Sequence, residues 1–135
     1  MAALYTLIAR KIPAMEGFWQ ALAAEERAHA TVLASLVKLE AVGDVVFQST
    51  AFQSKATLVS IEFVDNKIRQ IEAQGIGIPE AMRLAIDLEQ SMLESRFFDV
   101  FEAGSTEMRS EFAELRRHTV DHISRIAEAF TAKGG

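Results

Sequence analysis

The stretch Phe18–Leu36, "FWQALAAEERAHATVLASL", carries Trp19, Leu22, Leu33 and Leu36 at the three- and four-residue spacings of a single helix face. Glu26 and His29 fall on that same face. Helix positions three apart lie within about 60° of each other around the axis and one turn apart along it, so both ionisable side chains project together from the middle of an apolar seam. Two such groups can grip one ion. They would also be tolerated at a seam edge that reaches water, or with His29 hydrogen-bonded inside a core.

Working outward, the helical period continues through nearly the whole chain, and Val45–Phe47 is the only short β-branched run. The fold class is therefore all-α. A first helix runs from about Ala2 to Ile12, with Leu4, Leu7, Ile8 and Ile12 inward, and Pro13 ends it because proline fixes φ and lacks an N–H. Pro13 then opens a second helix reaching about Val42, with Gly43 as its left-handed stop. After a loop, "DVVFQS", Thr50 and Gln53 have capping-box spacing for a third helix to about Gln74, whose inward stripe is Leu58, Ile61, Val64, Ile68 and Ile71. "GIGIPE" punctuates the chain, and Pro79 suits the start of a fourth helix that reaches about Ala103. Gly104 and Ser105 break it, and a fifth helix spans about Thr106 to Thr131.

At 135 residues, half of them apolar, the chain is sized for one domain, 1–135, with a real core. A net charge of −5 without any Lys/Arg cluster disfavours a nucleic-acid partner. The absence of cysteine removes disulfides, thiolate metal sites and cysteine nucleophiles, so any metal must be held by histidine and carboxylate. At the N-terminus, "MAALYTLIARKIPAM" is interrupted by Arg10, Lys11 and Pro13, which fits neither a signal peptide nor a membrane span. A soluble, cytoplasmic protein is expected.

The polar intrusion seen on the second helix recurs twice. On the fourth helix the inward series Met82, Ile86, Glu89, Leu93, Phe97 and Val100 has Glu89 at its centre, while Asp87, Gln90, Ser91 and Glu94 lie opposite. A carboxylate in apolar surroundings asks for a cation, and Arg96 is the simple structural partner. The fifth helix has the stripe Phe112, Leu115, Thr119, His122, Ile126 and Ala129, with His118 one turn before His122. Histidines at i and i+4 are a metal-gripping spacing, although Arg117 and Asp121 could keep His118 occupied at the surface. An offset of 93 residues lays the second helix on the fifth, aligning Trp19 with Phe112, Leu22 with Leu115, Glu26 with Thr119, His29 with His122 and Leu33 with Ile126.

Across nearly the whole chain these residues resemble the rubrerythrin branch of the ferritin-like superfamily. The likeness lies in "FWQALAAEERAHATVLASL", "AMRLAIDLEQSMLESRFFDVF" and "FAELRRHTVDHISRI", which are similar to that family's second, third and fourth bundle helices. The resemblance implies a four-helix bundle with a shortened first helix and an additional helix in the connection between the second and third bundle helices. It also implies a ligand set of one Glu from each of two helices and a Glu-x-x-His from each of the other two. Position by position, Glu26 and His29 would form one such pair, Glu89 a single-helix carboxylate and His122 the histidine of the second pair. Thr119 stands where the second pair should have Glu, and the first helix begins too late for its expected carboxylate. His118 and Glu62 are supplementary candidates.

The resemblance thus implies a non-haem metal-binding protein. Its metal would be iron, mononuclear or dinuclear, with manganese or zinc also compatible with carboxylate and imidazole ligands. Such a protein could be an oxidoreductase acting on oxygen or peroxide. Lacking the family's cysteine-bearing module, it would need an external electron donor. A homodimer is the expected partner arrangement, since the short first helix leaves part of the bundle uncovered. The missing acids support another outcome: a degenerate bundle without metal, its core polar groups hydrogen-bonded to one another, serving oligomerisation or protein interaction.

Overall fold

The computed structural model of the chain describes the backbone of residues 1–41, 50–94 and 106–133, with side chains described throughout these except at 36–41, 50–58, 107 and 108. Every described element is helical, in accord with the all-α expectation: α1 (Ala2–Lys11), α2 (Glu16–Ala41), α3 (Thr50–Gln74), α4 (Ile78–Glu94) and α5 (Thr106–Ala132). No described helix is long and apolar enough to cross a membrane. The Gly43 stop, the "DVVFQS" loop, the side chains of the Thr50–Gln53 cap, the continuation of α4 to Ala103 and the Gly104–Ser105 break lie outside the described residues.

The breaks follow from local chemistry. Pro13 disfavours helical geometry at the residue before it, and Ile12 accordingly adopts φ −125° and ψ 74° while its N–H still donates to the Ile8 carbonyl. Pro13–Met15 forms a single 3₁₀ turn, a refinement of the expected direct start of α2 at Pro13. Arg10 and Lys11 in the last turn of α1, and Glu16 and Glu80 in the first turns of α2 and α4, carry the charges that suit those helix ends. Gly75 ends α3 at φ +75°, its N–H donating to the Ile71 carbonyl at 2.9 Å, which is the single bond of a left-handed C-terminal cap. Pro79 sits in the first turn of α4, where no intrahelical N–H bond is forfeited.

The chain divides into two compact units. The first comprises Met1–Ala30 and Ser49–Gly77, so it contains α1, the N-terminal part of α2 and α3. Here α1 packs on α3. Leu4, Tyr5, Leu7, Ile8, Ile12, Met15, Trp19, Leu22 and Ile71 are buried, and the Tyr5 and Trp19 rings lie 5.6 Å apart. Lys11 Nζ donates to the Glu72 carbonyl at 3.1 Å, fastening the end of α1 to the last turn of α3.

The expected inward stripe of α3 needs correction. Only Ile71 is buried; Val64 and Ile68 are partly exposed, Ile61 is 51% exposed, and the side chain of Leu58 is outside the described set. At 1.5 Å per residue α1 is about 15 Å long and α3 about 37 Å, so α1 cannot cover the whole of its partner. Val59 and Phe63, on the other side of α3, are also exposed.

The second unit comprises Thr31–Gln48 and Ile78–Gly135. In it α4 packs on α5, burying Ala81, Met82 and Ala85 from α4 and Phe112, Leu115 and Ile126 from α5. Arg83 stacks over the Phe130 ring at 5.8 Å from its centroid.

Candidate metal site

On α2, the buried run Trp19, Leu22 and Ala23 leads directly into the expected Glu-x-x-His. Helix geometry then brings Glu26 Oε1 to 3.2 Å from His29 Nδ1, with both side chains largely but not wholly shielded from solvent. The same helix sends Arg27 outward to the Thr6 hydroxyl. The pair is local: it requires only that residues 26–29 be helical.

The α4–α5 pair differs in kind. Glu89 and His122 are 33 residues apart in sequence, come from different helices and are each 0% exposed. His122 Nδ1 lies 3.3 Å from Glu89 Oε1. Their surroundings are the apolar stripes expected from the sequence, with Met82 and Ala85 on α4 and Leu115 and Ile126 on α5 buried alongside. Taking two ionisable groups out of water costs several kcal/mol, which only good mutual geometry or a bound ion offsets.

The two separations have a specific chemical meaning. Hydrogen bonds between charged groups cluster at about 2.7–2.9 Å. Two ligands on one metal with bonds of about 2.1 Å are separated by about 3.0 Å at an octahedral edge and about 3.4 Å at a tetrahedral edge. Distances of 3.2 and 3.3 Å are long for the first arrangement and ordinary for the second. In a metal-free pair the imidazole Nδ1–H donates to the carboxylate; with Nδ1 deprotonated, its lone pair is available for an ion instead.

The candidate metal-ligating groups are the carboxylate of Glu26 in the first unit and the carboxylate of Glu89 and imidazole of His122 in the second. Carboxylate oxygen and imidazole nitrogen are ligands for Fe, Mn or Zn, so the donor types alone do not choose among them. His29 stays beside Glu26 as its neighbour one turn on. Thr119, one turn before His122, is buried, and its hydroxyl donates to the Leu115 carbonyl of its own helix at 3.1 Å.

The supplementary candidates stand elsewhere. His118 is at the surface, 37% exposed, with Nε2 at 3.3 Å from Arg117 and 3.7 Å from Glu114 Oε1. Glu114 thus takes the place anticipated for Asp121, which instead faces Arg125 at 3.7 Å. Glu62 is exposed on α3. Arg96, the anticipated structural partner of Glu89, lies outside the described residues; within them the carboxylate meets His122.

The structure also reveals a feature that periodicity could not: the indole N–H of Trp19 is buried without a hydrogen-bond acceptor among the described residues. The sequence places Trp19 inward but says nothing about what its nitrogen meets. No protein-family model, curated protein or solved structure matches the chain.

Proposed function

We propose that this chain is a ferritin-like, non-haem metal-binding protein of the rubrerythrin type, in which Glu89 and His122 form the heart of the site and Glu26 and His29 are further candidate ligands. The observation that carries this is the Glu89–His122 pair, fully enclosed and spaced at 3.3 Å like two ligands of one ion. The metal we favour is iron, and the chemistry an iron site would supply is redox reaction with oxygen or peroxide. The partners that accompany this proposal are a second copy of the chain and, for a redox-active site, a separate electron donor, since the sequence contains no cysteine to hold an electron-transfer centre.

Anaerobic loading of metal-free protein with Fe(II), Mn(II) or Zn(II), followed by desalting and elemental analysis, tests it. The wild type retains metal, whereas His122→Ala and Glu89→Gln lose it. Failure of all three ions to bind would remove the proposal.

A second reading has its own support. Each imidazole already faces a carboxylate, so both Glu–His pairs could be purely structural hydrogen bonds in a metal-free bundle that serves oligomerisation or protein interaction. Under that reading His122→Ala destabilises the protein and no ion changes its melting temperature.

A further inference from the structure

We draw no further inference here: the strongest candidate, the exposed apolar surface patch of Val59, Ile61 and Phe63 on α3, carries none, because nothing in the structure shows what covers it.

Discussion

Glu89→Gln separates the two roles open to the α4–α5 pair. The substitution preserves shape and leaves an amide oxygen able to accept from His122, while removing the negative charge of a residue with no solvent exposure. For the wild type, an ion present at 100 times its dissociation constant adds about 2.7 kcal/mol. In a domain of this size that corresponds to roughly 8 °C in melting temperature. If the lost anionic ligand weakens binding about a thousandfold, the same ion concentration adds under about 0.1 kcal/mol to the variant, and the shift disappears. Without metal the two proteins should melt within a few degrees of each other, because removing a buried acid also removes its desolvation cost. A structural hydrogen bond predicts the reverse: no metal shift in either protein, and a metal-free variant weakened by about 1–2 kcal/mol as a bond to a charged acceptor becomes a neutral one. Differential scanning fluorimetry in chelator-treated buffer, repeated with Mn(II) and Zn(II), reads both quantities. Equal metal shifts in wild type and Glu89→Gln would refute the assignment of Glu89 as a ligand.

Three further outcomes follow from particular residues. His118→Ala and Glu62→Gln should leave metal uptake intact and alter stability by less than about 0.5 kcal/mol, since both side chains lie at the surface; elemental analysis and thermal melts check this. Gly75→Ala should cost about 1 kcal/mol by denaturant titration: open space surrounds the position, so the cost comes from holding an alanine at φ +75°. Trp19→Phe should cost far less than Trp19→Ala, for which about 3–5 kcal/mol is expected, because the phenylalanine keeps much of the buried ring while discarding an N–H that meets no acceptor among the described residues.

The helices were legible because their punctuation is chemical. Pro13, Gly75 and Pro79 each act through a backbone property that tertiary context did not override. The face of α3 was not legible, and Ile61 shows why: periodicity reports that a stripe is available for burial, whereas burial also needs a neighbour long enough to cover it. Glu89 and His122 could be singled out as polar breaks in apolar stripes, and the structure buries both. Their pairing was harder to read, since a contact across 33 residues depends on how α4 and α5 pack rather than on spacing within either helix. Thr119 was visible as a polar residue on the α5 stripe, but the bond its hydroxyl donates to the Leu115 carbonyl appears only in three dimensions.

The two Glu–His pairs carry unequal weight. Glu26 and His29 meet as a by-product of helix geometry and retain some contact with water, so their association costs little and on its own implies little. Glu89 and His122 must be brought together by folding and stripped of water entirely. Buried ion pairs replaced by well-packed apolar residues commonly leave a protein about 1–4 kcal/mol more stable. The double variant Glu89→Leu, His122→Phe should accordingly be at least as stable as metal-free wild type in urea titrations, and less stable than the metal-loaded protein if binding supplies more than that gain. A double variant several kcal/mol weaker than the metal-free protein would show that the pair stabilises the fold unaided, and the need for an ion at this position would vanish.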